Sequence, residues 1–196
     1  LPKGKGTVIV KHANPCGVST KNDHLESYKS ALSCDPISAF GGIVSCNFKI
    51  TKNLALELNK LFLEVIIANG FESSAIKILK AKKNLRLIDG TNYTSKELLK
   101  FVSFNENIML QSEDLNLFST KNFKIVSKRK PTSKQLKDLI FAFNVCRYVK
   151  SNAIVLASNE TTVGIGSGQP SRLDSCQIAI NKMKKFNLQN KNLVAA

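Results

Sequence analysis

The stretch VIVKHANPCG, residues 8–17, places a short apolar strand signal directly before two reactive side chains. Its β-branched start favours an extended strand, and Pro15 and Gly17 interrupt the regular backbone soon afterwards. Lys11 and His12 stand between these two signals, so the strand ends in a cation and an imidazole that can move a proton. The stretch therefore predicts a strand that delivers ligand-binding chemistry to one edge of a sheet.

Predicted strands and helices alternate through the first half of the chain. The strands are expected at residues 7–10, 42–46, 64–70 and 85–89. The helices are expected to begin at Asp23, where Glu26 completes a capping box, at Thr51 and at Ser73. Such alternation is typical of βαβ units, so the predicted fold class is α/β with a mixed, largely parallel sheet.

The second half of the chain is predicted to form a second unit. Residues 90–120 are polar and less regular, apart from one strand candidate at residues 108–111, and are interpreted as a linker or insertion. We therefore predict a first unit over residues 1–120 and the start of a second unit over residues 121–196.

The second unit opens with a long helix that Thr132 is expected to cap. The predicted apolar face of this helix consists of Leu136, Leu139, Ile140, Phe143 and Val149. Strands at residues 152–157 and 163–166 are then expected to pair through the polar turn SNETT. The loop SGQPSR leads into a last predicted helix over residues 171–185.

The composition is that of a globular domain. Hydrophobic residues make up 43% of the 196 residues and charged residues 22%, which argues against disorder. No apolar run approaches the roughly 20 residues of a membrane span, and the chain starts without a signal-peptide pattern. The five cysteines form no C-x-x-C pair, so free thiols in a reducing cytoplasm are predicted. Because an initiator Met is missing, we expect a fragment of a longer protein.

The net charge of +15, from 29 Lys and Arg against 14 Asp and Glu, raises the question of an anionic partner. Such a charge can support nucleic-acid binding by neutralising phosphates. The basic clusters at residues 80–84 and 127–131 are not interleaved with aromatic residues that could stack on bases. Compositional drift is therefore preferred, with a basic site for a small anion as a contributor, and no nucleic-acid partner is expected.

Three sequences are candidates for ligand contacts, because ligands collect at the carboxyl ends of strands in open α/β sheets. They lie at such ends or next to them: KHANPCG follows the first strand, SNAIV opens the later strand at Asn152, and GSGQPSR links the last strand to the last helix. Arg172 together with the N-terminus of that helix suits a phosphate group. The glycines of GIGSGQ match neither a Walker loop nor G-x-G-x-x-G, so they are weak signals for a nucleotide.

His12 is the strongest candidate for a proton acceptor. Because a neighbouring cation disfavours the imidazolium form, the sequence predicts a neutral ring that is available as a base. His24, on a helix face, is interpreted as a packing or surface residue. Cys16 follows a proline in the turn, but it has no partner besides His12 to activate it, so a structural role is preferred.

Neighbouring residues on a strand point to opposite faces of the sheet, which sets a geometric condition for this site. Lys11 and His12 can reach one substrate only if the backbone already turns where the strand ends. We therefore expect the turn at Ala13 and Asn14.

Seven motifs that follow one another along the chain indicate a protein family. They are VKHANPCGV, DPISAFGGIVS, EVIIANGF, KKNLRL, KRKPT, YVKSNAIVLA and VGIGSGQPSRLDS. In this order they closely resemble the AICAR transformylase domain of the bifunctional purine biosynthesis family. The resemblance runs from Val8 to about Lys185 and weakens over residues 90–120.

The resemblance implies a cytidine-deaminase-like fold of three-layer α/β/α units that works without zinc. The complete zinc signature of that wider fold, H-x-E with P-C-x-x-C, is absent, because NPCGV has the Pro-Cys pair but no second cysteine. The implied reaction transfers a formyl group from the cosubstrate 10-formyltetrahydrofolate to the amine of AICAR, an aminoimidazole carboxamide ribonucleotide, in IMP biosynthesis. The resemblance also implies a homodimer and a separate IMP cyclohydrolase domain, and it leaves a monovalent cation requirement open.

Residue by residue, the resemblance implies a site built from the motifs above. His12 would accept the proton, Lys11 would stabilise the transition state, and Asn152 would help to hold the developing oxyanion. The implied AICAR contacts are Gly41, Glu64, Asn152 and Arg172. Leu173 would line the folate pocket, and Pro170 stands where the family usually has methionine.

Two alternatives stay open. A basic nucleotide- or RNA-binding α/β module would bind RNA with an affinity that collapses with salt, and it would be indifferent to substitution of His12. A decayed transformylase would keep the motifs without the activity. Because the expected fragment lacks further substrate contacts of the family, we expect negligible turnover from residues 1–196 alone.

Overall fold

The computed structural model describes residues 1–93, 99–112, 114, 116, 118–188 and 192–196. Its strands are β1 (Gly6–Lys11), β2 (Asn14–Thr20), β3 (Gly42–Cys46), β4 (Leu63–Ala68), β5 (Arg86–Asp89), β6 (Leu99–Phe104), β7 (Asn107–Ser112), β8 (Ile154–Ser158), β9 (Thr161–Gly166) and β10 (Val194–Ala195). Its α-helices are α1 (His24–Cys34), α2 (Lys52–Leu58), α3 (Ser73–Leu79), α4 (Ser133–Cys146) and α5 (Arg172–Lys185). Within these ranges no helix is long and apolar enough to cross a membrane.

Helices begin where capping side chains are predicted. Asp23 Oδ1 accepts a hydrogen bond from the backbone N–H of Glu26 at 2.7 Å, and Thr51 Oγ1 accepts one from Leu54 at 3.4 Å. Thr132 and Gln135 form a reciprocal capping box at the start of α4. These bonds satisfy N–H groups that the first turn of a helix leaves unpaired. The predicted starts of α1, α2 and α4 are confirmed.

Eight strands form one mixed sheet in the order β10-β8-β9-β2-β1-β3-β4-β5. The strands β3, β4 and β5 run parallel, as their alternation with α2 and α3 predicts. The other pairings in this sheet are antiparallel. Two-residue turns join β1 to β2 and β8 to β9, and so short a connection can only link antiparallel strands. Parallel pairing is therefore confined to one side of the sheet.

The expected insertion carries a separate two-stranded antiparallel sheet formed by β6 and β7. Strand β7 confirms the candidate at residues 108–111, whereas β6 was not predicted. Every residue of these two strands is exposed. Residues 94–98, 113, 115 and 117 of the expected insertion lie outside the described residues.

Helices pack on both faces of the sheet at β8. Val155 and Ala157 of this strand belong to a core cluster with Phe141 and Val145 of α4. Leu156, between them, belongs to a different cluster with α5. Because successive strand residues face opposite sides, α4 and α5 cover opposite faces of β8. The α/β class is confirmed, and at this end of the sheet helix, sheet and helix form three layers.

The buried face of α4 differs from the predicted one. The buried residues of this helix are Asp138, Phe141, Ala142 and Val145. Phe143 is 39% exposed, and its ring packs edge-on against Phe118 with 4.4 Å between the ring centroids. The helical spacing predicted the helix, although Val149 lies beyond its last residue, and such periodicity does not distinguish the side that faces a sheet from a side covered by an irregular segment.

Both predicted units contribute strands to the large sheet. The strands β8, β9 and β10 come from the second predicted unit and continue the sheet that β1–β5 form. The division of the chain at residue 120 and the cytidine-deaminase-like designation stay predictions.

Candidate functional site

Two antiparallel hairpins bring the three predicted motifs to one edge of the sheet. Strand β1 ends at Lys11, β2 begins at Asn14, and β2 pairs with β9. Strand β9 ends at Gly166, opposite Ile154 at the start of β8. The segments that follow β1, precede β8 and follow β9 therefore share this edge.

In a purely parallel sheet, ligands bind at the edge where the carboxyl ends of all strands lie, and this edge is a different one. Strand β3 is antiparallel to β1, and Val10 near the end of β1 pairs with Ile43 near the start of β3. The parallel strands β3, β4 and β5 therefore begin at the edge where β1 ends, and their carboxyl ends lie at the opposite edge. The segments after β1 and β9 lie at strand carboxyl ends, as predicted, and Asn152 lies just before the amino end of β8, in agreement with its predicted place at the opening of that strand.

The turn between β1 and β2 consists of His12 and Ala13, whose φ angles are 51° and 59°. It comes one residue earlier than predicted. Both residues are exposed, and Lys11 is the last residue of the strand. His12 already belongs to the turn, so its side chain need not point to the face of the sheet opposite Lys11. Both Lys11 and His12 line one cleft.

The cleft beside this turn has a volume of about 370 Å³. Lys11, His12 and Asn14 line it from the first hairpin, Ser167 lines it from the loop after β9, and Asp35 and Lys182 line it from the ends of α1 and α5. The cleft thus combines an imidazole with two lysines and one carboxylate.

Lys11 is fixed by the DPISAFGG segment. Its Nζ donates a hydrogen bond to the backbone carbonyl of Phe40 at 2.6 Å. Gly41 follows with a φ of 70°, and its N–H donates to the carbonyl of Phe62 at 2.9 Å. A Cβ atom on Gly41 would lie 3.9 Å from Lys11 Nζ, so the predicted substrate contact Gly41 does lie beside the predicted cation.

Asn14 connects the His12 turn to the segment that precedes β8. Its Oδ1 accepts a hydrogen bond from the N–H of Lys150 at 3.1 Å, and its Nδ2 donates to the carbonyl of His12 at 3.3 Å. Asn14 was not predicted as a site residue, although it lies within KHANPCG. Its partner Lys150 is 136 residues away along the chain, so only the fold reveals the link.

Asn152 holds the GSGQPSR loop in place. Its Nδ2 donates to the carbonyls of Gln169 at 2.9 Å and Pro170 at 2.8 Å. Its own carbonyl accepts a hydrogen bond from Ser175 Oγ at 2.7 Å. Both amide hydrogens are thereby used, so a donor role toward an oxyanion would require one of these bonds to break. The predicted catalytic and AICAR-binding roles of Asn152 stay predictions.

Three further predicted contacts lie outside the lining of the cleft. Arg172 and Leu173 begin α5 and are exposed, Leu173 to 80%. Glu64 is exposed on β4, directly after Leu63, which pairs with Gly42. Their predicted roles in binding AICAR and folate stay predictions.

An ion pair that was not predicted connects α1 to α5 at the cleft. Lys182 Nζ lies 2.6 Å from Asp35 Oδ2, and the side chain of Asp35 is only 4% exposed. The N–H and Oγ of Ser38 also donate to Asp35, at 2.9 and 2.7 Å. Burial alone would raise the pKa of Asp35, but the hydrogen bonds from Lys182 and Ser38 outweigh it and hold the pKa below its ordinary value.

The structure supports the interpretations of Cys16 and His24 as packing residues. Burial, with a smaller contribution from Asp35, raises the pKa of the Cys16 thiol, which keeps it protonated at neutral pH. The ring of His24 stacks on Phe48 with 3.8 Å between the centroids, and its Nε2 lies 3.0 Å from the carbonyl of Gly4. Across the described part of the chain, no group of three or more His, Cys, Asp or Glu side chains could hold a metal ion.

Comparison with known proteins identifies the family. Residues 2–182 match the family model described as AICARFT/IMPCHase bienzyme. The chain belongs to this family. The resemblance predicted from the seven motifs is thus confirmed at the level of the family.

Two relatives of this chain match almost its whole length. A protein of Buchnera aphidicola subsp. Schizaphis graminum (strain Sg), named bifunctional purine biosynthesis protein PurH, is 47% identical over 185 residues, which is 93% of this chain and 35% of that protein. A protein of the same name from Aquifex aeolicus (strain VF5) is 44% identical over 196 residues, which is 100% of this chain and 38% of that protein. The chain therefore spans little more than a third of the length of these relatives.

Proposed function

We propose that this chain supplies the proton-transfer part of an AICAR formyltransferase site in IMP biosynthesis, acting in the cytoplasm. The observation that carries the proposal is the convergence of the His12 turn, the segment before β8 and the GSGQPSR loop at one edge, with Asn14 hydrogen-bonded both to the turn and to that segment. The name of the relatives, bifunctional purine biosynthesis protein, supports the same pathway. An IMP cyclohydrolase activity would belong to other parts of such a protein.

The proposed reaction needs a base at the amine of AICAR. The amine nitrogen attacks the formyl carbon of 10-formyltetrahydrofolate and forms a tetrahedral intermediate. This amine is conjugated to the imidazole carboxamide and is a poor nucleophile, so it must lose a proton as the new C–N bond forms. His12 accepts that proton, and the proton passes to N10 of the folate as the old C–N10 bond breaks. The products are the formamide and tetrahydrofolate.

Lys11 provides the proposed charge stabilisation. The oxygen of the tetrahedral intermediate carries a developing negative charge, which a fixed cation stabilises better than mobile water does. The hydrogen bond from Lys11 to the carbonyl of Phe40 holds this ammonium group at the same cleft as His12. Asn14, which bonds the carbonyl of His12, acts as a positioning residue for the turn.

The remaining proposed contacts surround this pair. AICAR would be held by Gly41, Glu64, Asn152 and Arg172, and the folate by Leu173. The side chains of Arg172 and Leu173 on the first turn of α5 are exposed, so such ligands can reach them. We also propose a homodimer of the complete protein and no nucleic-acid partner.

A substrate comparison tests this function. The complete gene product is incubated with 10-formyltetrahydrofolate and AICAR, with and without potassium, and tetrahydrofolate formation is followed. We expect turnover with AICAR and none with the imidazole carboxamide ribonucleotide that lacks the 5-amine, because that amine is the nucleophile. Absence of AICAR-dependent turnover would contradict the proposal, and tight RNA binding that collapses with salt would favour the RNA-binding alternative.

A further inference from the structure

A second cleft lies at the opposite edge of the sheet from His12. Its volume is about 460 Å³. The pairing of Gly6 with Thr20 marks this end of the β1–β2 hairpin, and the pairing of Lys11 with Asn14 marks the other. The five residue steps from Gly6 to Lys11 separate the two ends by about 17 Å. The residues of this cleft are therefore distinct from those proposed for formyl transfer.

Lysine side chains from three parts of the fold line this second cleft. They are Lys5 before β1, Lys21 after β2, and Lys134 and Lys137 on α4. Lys21 Nζ donates to the carbonyl of Asn159 at 2.6 Å. The ammonium groups of Lys5, Lys134 and Lys137 have no hydrogen bond or ion pair within the described ranges. Three cations at this cleft are thus available to a ligand.

Two carboxylates also line the cleft, and one of them is already engaged. Asp138 is 1% exposed and accepts hydrogen bonds from the N–H groups of Asn159 at 3.0 Å and Glu160 at 2.6 Å. Its charge therefore stabilises the turn between β8 and β9. Glu160 is the second carboxylate, so four ammonium groups face two carboxylates and the lining keeps a positive charge.

The start of α4 adds to this positive charge. Lys134 and Lys137 are three residues apart, so their side chains lie on the same side of the helix. Lys134 lies in the first turn, where backbone N–H groups carry partial positive charge, and Lys137 follows in the next turn. Ammonium groups that converge next to a helix start suit a phosphate group.

The size and lining of the cleft favour a small molecule over a nucleic acid. A volume of about 460 Å³ is in the range of small-molecule sites. Among the described residues no aromatic side chain lines it, so these residues offer no surface on which bases could stack. We propose that this second cleft binds a small phosphorylated molecule, whose phosphate is held by Lys5, Lys134 and Lys137. The inference does not rest on the proposed formyl transfer.

Calorimetric titration of the complete gene product with pyrophosphate, at roughly physiological ionic strength, tests this site. The test variant is Lys134→Gln/Lys137→Gln. The matched control is Lys77→Gln/Lys80→Gln at the end of α3, which removes the same charge at the same spacing from an exposed surface. A third variant, Lys11→Gln, reports binding at the His12 cleft instead.

We expect pyrophosphate to bind the wild type, and we expect the Lys134→Gln/Lys137→Gln variant to lose at least about tenfold in affinity, since it loses two charge-assisted hydrogen bonds. The α3 control and Lys11→Gln should keep wild-type affinity. The proposal is overturned by absence of binding, by equal loss in the α3 control, or by loss in Lys11→Gln alone. It is also overturned if single-stranded RNA competes for the same lysines far more tightly than pyrophosphate, because the site would then bind a polymer.

Discussion

At the scale of the residue, the site depends on the backbone conformation of the two residues in the turn between β1 and β2. His12 and Ala13 both have positive φ angles, 51° and 59°. Two-residue hairpin turns of this kind favour Asn and Gly, because other L-residues are strained in the left-handed region. Strain of this sort persists where surrounding bonds hold it, and it is frequent at functional sites. Here Asn14 bonds the carbonyl of His12, and the turn presents the imidazole to the cleft.

Replacement of Ala13 by glycine tests the strain in this turn. Ala13→Gly should raise the free energy of unfolding by about 0.5–1 kcal/mol, because glycine adopts the left-handed region without the steric cost, and this relief exceeds its entropic cost. Urea unfolding midpoints measure the change. The control Ala142→Gly, at a buried position in α4, should instead lower stability by about 1 kcal/mol or more. A destabilised Ala13→Gly variant would contradict the strained turn.

At the scale of the element, bonds between segments distant in sequence assemble the site. Asn152 bonds the carbonyls of Gln169 and Pro170, which fixes the loop that leads into α5. The ion pair between Asp35 and Lys182 then joins the end of α1 to α5. The cleft is thus held by side chains whose partners are supplied by other elements.

Replacement of Asp35 by asparagine tests the link between α1 and α5. The pKa of Asp35 is lowered in the folded protein, so the bond contributes stability that is fully present above the unfolded pKa and is lost as the pH falls through the folded value. Asp35→Asn should therefore cost about 2 kcal/mol at pH 7 and progressively less below pH ~4. Urea unfolding at several pH values measures both effects.

The control for this experiment is Asp174→Asn, which changes an exposed carboxylate in the first turn of α5. Its cost should stay within about 0.5 kcal/mol, since only an interaction with the helix start is lost. If Asp35→Asn were as mild as this control, or if its cost did not depend on pH, the ion pair would not be a stabilising link.

At the scale of the whole molecule, local patterns predict the elements but not their arrangement. The caps at Asp23, Thr51 and Thr132 could be predicted because each acts on N–H groups within its own helix. The bond from Lys150 to Asn14 could not, because it depends on how β2 pairs with β9. Asp138 shows the same limit: a carboxylate on α4 is buried only because the turn between β8 and β9 supplies two N–H groups.

Of the residues that line the cleft, the sequence pointed to Lys11 and His12 but not to those that lie around them. Lys11 and His12 line one cleft as expected, since both come from one short motif. Asp35 and Lys182 were missed, because nothing near either residue in the sequence indicates the other. The sequence placed SNAIV at the start of a strand and the other two motifs after strands, but only the two antiparallel hairpins explain why that start and those ends share one edge.

The proposed role of His12 as the base is tested by the kinetics of formyl transfer to AICAR by the complete gene product. The wild type is compared with the His12→Ala and His24→Phe variants. His24 is the matched control, because it is the other histidine of the chain and phenylalanine keeps its stacking on Phe48. We predict that His12→Ala lowers kcat/KM by about a hundredfold or more, as loss of a general base does, and that His24→Phe stays within about threefold of wild type. An active wild type whose His12→Ala variant also stays within about threefold would contradict the assignment of His12 as the base.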